Sequence, residues 1–233
     1  MKYKNYIFDL YGTLVDIHTD EHDLKLWKKM VSAYKKHGAV YTPAKMRRTY
    51  EILVKEAQKD ADEIVIEPVF EKMFTLCNAT VDEDTVTEMC HLFRETSTEY
   101  IRLYPWTIPM LEGLKKEEKK IVLLSNAQRA FTAPELEKLG IISYFDSVFI
   151  SSDKGVKKPN PAFFNAMLTE CGLNAKECLM VGNDETCDIR GAHRVGMDGF
   201  YIHTKISPEY TGVGQAEYEV LDVDEESGMI ELP

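Results

Sequence analysis

The stretch YIFDLYGT, residues 6–13, passes from three apolar residues to an aspartate and then to a glycine. A short apolar run closed by polar turn residues is typical of a strand buried in a parallel sheet. Four later runs have the same form and also end at a polar residue or a glycine: residues 121–124, 147–150, 179–181 and 199–202. The first run therefore predicts one strand of a larger parallel sheet, with Asp9 at its carboxyl end.

The segments between these strands carry helix signals. Apolar residues in 108–114 share one helical face, and Gly140 suits the end of the helix that follows the second strand. Asn160 and Pro161 form a good N-cap and first-turn pair for a helix that ends near Gly172. Alternating strands and helices predict an α/β fold, a Rossmann-like doubly wound parallel sheet with helices on both faces.

A long insertion separates the first strand from the second. Its apolar residues recur with helical spacing in four groups, which predicts four helices packed on one another. The aromatic and methionine stripes in these groups are expected to form the core of the bundle. We therefore predict two domains: an α/β core made of residues 1–15 and 99–233, and an inserted α-helical bundle cap made of residues 16–98.

Composition limits the choice of function. The chain has 28 Lys and Arg against 39 Asp and Glu, a formal net charge of −11, so nucleic acid is not expected as a partner. No apolar segment approaches the roughly 18 residues of a membrane-spanning helix. The five cysteines form no C-x-x-C pair, which indicates reduced thiols. We expect a cytoplasmic protein that binds a small molecule and no membrane.

Four motifs follow one another along the chain, each at or just past the end of a predicted strand. They are Asp9 to Thr13, Ser125 with Asn126, Lys158 before a proline, and the acidic run 183–188. Open α/β sheets bind their ligands in a crevice at the carboxyl ends of the strands. The four motifs therefore predict one active site.

These motifs, in this order and around a helical insertion, resemble the haloacid dehalogenase superfamily of hydrolases, in the branch whose cap is inserted just after the first strand. The resemblance covers essentially the whole chain. It implies that Asp9 is a nucleophile that forms a covalent ester and that Thr13 orients its loop. It also implies that Ser125 donates a hydrogen bond to the substrate and that Asn126 shapes the loop or reaches the substrate. Lys158 is then expected to bind substrate and neutralise developing charge.

The acidic run after the fourth core strand suits a magnesium ion. Carboxylates opposite Asp9, together with the backbone carbonyl of Tyr11 and water, are hard oxygen ligands of the kind that Mg²⁺ prefers. The family often has an aspartate directly after the glycine, where this chain has Asn183. We therefore expect Asp184 to be the direct ligand and Asp188 to act through water or as a partner of Lys158.

Tyr11 departs from the phosphatase pattern of this superfamily. Phosphatases have an aspartate two residues after the nucleophile, which protonates the leaving oxygen and later activates water. A tyrosine keeps the backbone carbonyl, but its usual pKa of about 10 makes it a poor acid and base at neutral pH. Losing such help costs roughly 10²- to 10⁴-fold in rate.

The same D-x-Y-G-T pattern is common in 2-haloacid dehalogenases, whose halide leaves without a proton. These enzymes need no metal, and they carry a tyrosine six residues after the lysine, where this chain has Phe164. The sequence therefore favours a Mg²⁺-dependent phosphatase of small phosphorylated metabolites that works through an aspartyl-phosphate. The alternatives are a metal-independent 2-haloacid dehalogenase, with a halogenated acid as substrate, and a phospho-ligand binding protein with weak turnover.

Overall fold

The computed structural model describes residues 2–233. Six strands form one parallel sheet in the order β5-β4-β1-β6-β7-β8, and two more form a separate antiparallel pair. The strands are β1 (Asn5–Phe8), β2 (Val15–Thr19), β3 (Thr98–Leu103), β4 (Lys120–Ser125), β5 (Ser147–Ile150), β6 (Cys178–Gly182), β7 (Asp198–Ile202) and β8 (Tyr218–Val220).

Helices connect the strands. They are α1 (Leu24–Lys36), α2 (Pro43–Ala57), α3 (Glu67–Thr75), α4 (Glu83–Ser97), α5 (Thr107–Lys116), α6 (Arg129–Lys138), α7 (Ser151–Lys154), α8 (Pro161–Cys171) and α9 (Arg190–His193). As predicted, Asn160 caps α8 by accepting a hydrogen bond from the amide of Ala162, and Gly172 ends this helix in the left-handed conformation.

The central strands are buried on both faces, which explains why they read as continuous apolar runs. In β1, Tyr6 and Phe8 belong to one hydrophobic cluster, which also contains residues of α5 and α6. Ile7 points the other way into a second cluster with residues of α8 and α9. The doubly wound α/β fold predicted from the sequence is therefore confirmed.

The helices α1 to α4 pack around an aromatic core of their own. Its members are Trp27, Tyr34, Tyr50, Phe70, Phe74 and Phe93, and Ala130 and Phe131 of α6 join it from the α/β side. This packing fits the predicted division into a cap of residues 16–98 and a core, and the division itself stays a prediction.

A two-stranded hinge joins the helical bundle to the sheet. The prediction of helices alone between residues 16 and 98 was wrong at the two ends, where β2 and β3 pair in antiparallel register. The buried carboxylate of Asp16 holds this hinge, since it accepts hydrogen bonds from Arg102 Nε at 2.9 Å and from Lys205 Nζ at 3.2 Å. The sequence signal was weak because these strands are only partly buried and carry no continuous apolar run.

Three further features bear on the sequence predictions. β8 was not predicted, because three residues at a sheet edge give little periodic signal. All five cysteines are unpaired. Within residues 2–233, no helix has both the length and the apolar character needed to cross a membrane.

Phe93 provides a test of the bundle core. Its buried ring lies 4.9 Å from the ring of Tyr50 and 5.3 Å from that of Phe70. We expect Phe93→Ala to lower the free energy of unfolding by about 3–5 kcal/mol, because the truncation leaves a cavity. Urea unfolding measures this loss, with the half-exposed Ile52→Ala as a control that stays within about 0.5 kcal/mol of the parent protein. Equal stability of the two variants would contradict the packing described.

Candidate active site

The four sequence motifs meet in one crevice at the carboxyl ends of β1, β4 and β6. The crevice has a volume of about 250 Å³ and is formed by Asp9, Tyr11, Asn126, Lys158, Asn183, Asp184, Cys187, Asp188, Ile206 and Pro208. A larger cavity of about 410 Å³ lies where α4, β3 and α6 meet, and it shares none of these residues. The smaller crevice is therefore the candidate site.

The loop after β1 places Asp9 at the floor of this crevice. The amide of Asp9 donates to the carbonyl of Val181 at 2.9 Å, which extends the β1–β6 pairing by one residue. Gly12 has φ +88°, and a Cβ there would lie 2.1 Å from Nδ2 of Asn183, so this turn requires glycine. The hydroxyl of Thr13 lies 3.5 Å from Oδ2 of Asp9 and 3.3 Å from Oδ1 of Asn183. Thr13 thus supports the loop that carries Asp9.

Lys158 is a fully buried cation between two carboxylates. Its Nζ donates to Oδ1 of Asp9 and to Oδ1 of Asp188, both at 2.7 Å. Burial alone would lower the pKa of Lys158, but the charges of Asp188 and Asp9 raise it above its usual value. The ammonium therefore stays charged and holds one oxygen of Asp9 in place.

Asn126 clamps the backbone of Lys158. Its Nδ2 donates to the carbonyl of Lys158 at 2.9 Å, and its Oδ1 accepts from the amide of Lys158 at 2.8 Å. Both ends of the amide are thus used, although the side chain also lines the crevice. Of the two roles expected for Asn126, shaping the loop and reaching the substrate, these contacts fit the first, and substrate binding stays a prediction.

Ser125 lies at the end of β4, next to the strand that leads to Asp9. Its hydroxyl is buried and has no hydrogen-bond partner in the described part of the chain. A buried hydroxyl without a partner costs about 1–3 kcal/mol, so this atom is available to a ligand.

The acidic segment after β6 forms a π-helical turn, Glu185–Ile189. Oδ1 of Asp184 caps this turn, because it accepts from the amides of Thr186 and Cys187, each at 2.8 Å. Asp188 uses Oδ1 for Lys158 and Oδ2 for the amide of Asp184 at 3.0 Å. Of the two roles expected for Asp188, the contacts show the partner of Lys158.

A loop after β7 forms a wall that sequence reasoning missed. Nδ2 of Asn183 donates to the hydroxyl of Ser207 at 3.2 Å, and the hydroxyl of Thr204 donates to the carbonyl of Gly12 at 2.9 Å. Glu185 anchors the far end of this loop by accepting from the amide of Gly214 at 2.9 Å. No motif marks these loop residues, because their role depends on contacts with distant segments.

The phenol of Tyr11 is bound in a polar cluster formed by residues of α4 and α6. It donates a short hydrogen bond to Glu135 and lies 3.0 Å from the hydroxyl of Thr132. Nε of Arg94, on α4, donates to Glu135 at 2.6 Å. Burial and the charge of Glu135 raise the pKa of Tyr11 above its usual value. Its phenol is therefore engaged in a structural contact and stays protonated.

Comparison with known proteins identifies the family. Residues 3–196 match the family model described as haloacid dehalogenase-like hydrolase, so the chain belongs to this family of hydrolases. It is 34% identical over 105 residues to glyceraldehyde 3-phosphate phosphatase of Methanopyrus kandleri, which covers 45% of each chain. It is also 34% identical over 119 residues to phosphoglycolate phosphatase of Yersinia pseudotuberculosis, which covers 51% of each chain.

The chain thus spans about half the length of these curated relatives. Among solved structures, 2-haloacid dehalogenase from Pseudomonas syringae pv. Tomato superposes with a TM-score of 0.64 at 19% identity, over 94% of each chain. Identity this low shows the shared fold alone.

Removing the buried cation tests the ion triad. We expect Lys158→Met to lower the free energy of unfolding by about 3–5 kcal/mol at neutral pH, because two buried carboxylates lose their partner. Burial already raises the pKa of Asp188 to about 7 against the opposing charge of Lys158. A carboxyl group whose pKa is higher in the folded protein than in the unfolded chain stabilises the fold at pH values below its unfolded pKa of about 4. This stabilisation is lost as the pH rises through the folded-state pKa.

The deficit of Lys158→Met is therefore expected to shrink as the pH is lowered from 8 towards 5. Urea unfolding across this range measures it, with the neighbouring Lys157→Met as a control of equal charge change. A deficit that stays constant with pH would contradict the proposed origin of the effect.

Tyr11→Phe tests the polar cluster. We expect a loss of about 1–3 kcal/mol in the free energy of unfolding, since the hydrogen bond to the Glu135 carboxylate disappears. Thermal or urea unfolding measures it. Tyr144→Phe is the matched control, because the phenol of Tyr144 makes no hydrogen bond within residues 2–233. An equal response of both variants would mean that the contact with Glu135 contributes nothing.

Proposed function

We propose that this hydrolase is a phosphatase of small phosphorylated metabolites and that Asp9 is its nucleophile. The observation that carries the proposal is the arrangement of the Asp9 carboxylate. One oxygen is held by the buried Lys158 ammonium, which lies at 2.7 Å, at the floor of a crevice with further polar groups. A carboxylate held in this way is ready to attack an electrophilic phosphorus.

The proposed reaction has two steps. An oxygen of Asp9 attacks phosphorus, the bond from phosphorus to the leaving oxygen breaks, the leaving oxygen takes a proton from water, and an aspartyl-phosphate forms. Water then attacks the phosphorus of this intermediate, which releases inorganic phosphate and restores Asp9. Lys158 stabilises the negative charge on the transferring group, and the free hydroxyl of Ser125 offers a hydrogen bond to it.

Magnesium fits the donor groups present. Asp9, Asp184 and the carbonyl of Tyr11 are oxygen ligands beside the crevice, and Mg²⁺ is usually held by one or two carboxylates plus substrate and water. Within residues 2–233, no group of three His, Cys, Asp or Glu side chains is arranged to hold a metal ion, so a Mg²⁺ ion here would need carbonyl, water and phosphate oxygens as further ligands. When bound, the ion would neutralise charge on the phosphoryl group.

Three observations support a small metabolite as substrate. The crevice of about 250 Å³ has room for a phosphoryl group and a short carbon skeleton. The curated relatives are phosphatases of glyceraldehyde 3-phosphate and phosphoglycolate. The unpaired cysteines are compatible with a cytoplasmic protein that meets such metabolites.

The decisive experiment measures inorganic phosphate released from a panel of phosphomonoesters, with Mg²⁺ and with a chelator. We expect release that the chelator abolishes and that Asp9→Asn lowers by roughly 10³-fold or more, because the nucleophile is lost. The Lys157→Met variant serves as a control that keeps activity. No release from any ester under either condition would overturn the proposal.

The contact between Tyr11 and Glu135 leads us to predict that the hydrolysis rate depends strongly on the leaving group of the substrate. Since its phenol is bound to Glu135, no acid at this position protonates the leaving oxygen. We expect Tyr11→Asp to raise the rate on alkyl phosphates by roughly 10²-fold and on p-nitrophenyl phosphate by less than about threefold, because nitrophenolate leaves without a proton. Steady-state rates measure this, with Tyr11→Phe as control. No gain in a folded Tyr11→Asp protein would mean that position 11 does not limit turnover.

The engagement of the Tyr11 phenol by Glu135 also supports a second candidate function, that of a metal-independent 2-haloacid dehalogenase, since a leaving halide needs no proton. Against it, Phe164 stands where such enzymes have a tyrosine, and its ring is buried in the hydrophobic cluster with α8 and α9. Halide release from 2-haloacids in the presence of a chelator tests this candidate. Capture of phosphate on Asp9 without turnover would instead indicate a phospho-ligand binding protein.

A further inference from the structure

The segment of residues 58–66, between α2 and α3, reaches from the helical bundle to the sheet domain. We call it the cap strap. It makes hydrogen bonds with three core segments, which follow β4, follow β5 and precede α8. These segments surround the loop that carries Lys158, which lies outside any strand or helix.

Gln128 fastens the strap at one end. Its Oε1 accepts from the amide of Ile66 at 2.9 Å, and its Nε2 donates to the carbonyl of Ile64 at 2.9 Å. The side chain thus pairs with the strap backbone as a neighbouring strand would. This contact holds Asp62 and Glu63, which directly precede Ile64 in the chain, against the core loops.

Glu63 contacts the loop after β4 through Ser151. The hydroxyl of Ser151 donates to Oε2 of Glu63 at 2.7 Å and accepts from the amide of Ala127 at 2.9 Å. Ala127 directly follows Asn126, whose amide clamps the backbone of Lys158. A continuous path of hydrogen bonds and one peptide link, between Asn126 and Ala127, therefore leads from the carboxylate of Glu63 to the backbone of Lys158.

Asp62 contacts the chain on both sides of the same lysine, at Lys157 and at Asn160. Its Oδ2 accepts from Nδ2 of Asn160 at 3.0 Å and lies 3.5 Å from the amide of Lys157. Asp62 thus supports the backbone on both sides of Lys158, and Glu63 supports the segment that carries Asn126. Neither carboxylate touches Lys158 itself.

We propose that Asp62 and Glu63 are positioning residues, which place Lys158 against Asp9 only when the strap is docked. Docking of the cap and ordering of the catalytic cation would then be one event. The physical reason is that a cation stabilises a transition state better when it is already held in the correct place. Displacing such a group by about 1 Å can lower the reaction rate by as much as 10²-fold. This inference rests on the proposed phosphatase function for its kinetic test alone.

The kinetic test compares Asp62→Ala, Glu63→Ala and Asp60→Ala. Asp60 is the matched control, because it is an exposed acid of the same strap and makes no hydrogen bond or ion pair among the described residues. For the first two variants we expect kcat to fall about tenfold with KM changed less than threefold, and inhibition by orthovanadate to weaken in parallel. Glu63→Gln is expected to recover most of kcat, since its amide oxygen still accepts from Ser151. A rise in KM alone would overturn the positioning role.

Hydrogen exchange tests the same inference without any activity. In the Asp62→Ala and Glu63→Ala proteins we expect faster amide exchange in residues 126–129 and 156–160, with unchanged exchange in β1 and β6. Asp60→Ala is expected to match the parent protein. Should one of these variants fail to fold, Ser151→Ala removes the contact between Ser151 and Glu63 from the side of the sheet domain.

The two readouts separate the two proposals. Faster exchange in these loops, in a protein that releases no phosphate, would support the strap and overturn the proposed function. Phosphate release with unchanged exchange and unchanged kcat in the variants would support the function and overturn the strap.

Discussion

The buried ion triad of Asp9, Lys158 and Asp188 is the constraint on which the site depends. A buried ammonium is tolerable only when charges and hydrogen bonds surround it, and here two carboxylates at 2.7 Å supply them. The pairing of β1 with β6 brings Asp9 and the segment of Asp188 together across neighbouring strand ends. The third member arrives on a loop, so much of the surrounding polar network serves to hold that loop.

Two glycines show how closely the triad is packed. A Cβ on Gly182 would lie 2.3 Å from an oxygen of Asp188, and one on Gly12 would meet the Asn183 amide. Both positions therefore admit no side chain without moving a polar group of the site. The backbone at Gly182 can therefore approach the Asp188 carboxylate closely. This close approach helps to bring the charged groups together at the carboxyl ends of the strands.

The sequence predicted the sheet and the positions of its motifs well, for physical reasons. Strands buried on both faces are short apolar runs, and the motif residues directly follow them, so a correct strand assignment also brings Asp9 and Ser125 to one edge. The hinge strands were missed because they are half-exposed and pair only with each other. The particular contacts of Tyr11 and Asn126 were also beyond sequence reasoning. Their partners, Glu135 and the backbone of Lys158, lie 124 and 32 positions away in the chain.

The cluster of Tyr11, Arg94 and Glu135 has an evolutionary consequence. A carboxylate at position 11 would lose the bond to Glu135 and place a second acid near it, while Arg94 would have to serve both. The three positions are therefore expected to change together among descendants of a common ancestor. An acid at position 11 alone would then bring acid assistance at a cost in stability, and substitutions in α4 and α6 would be expected to offset that cost.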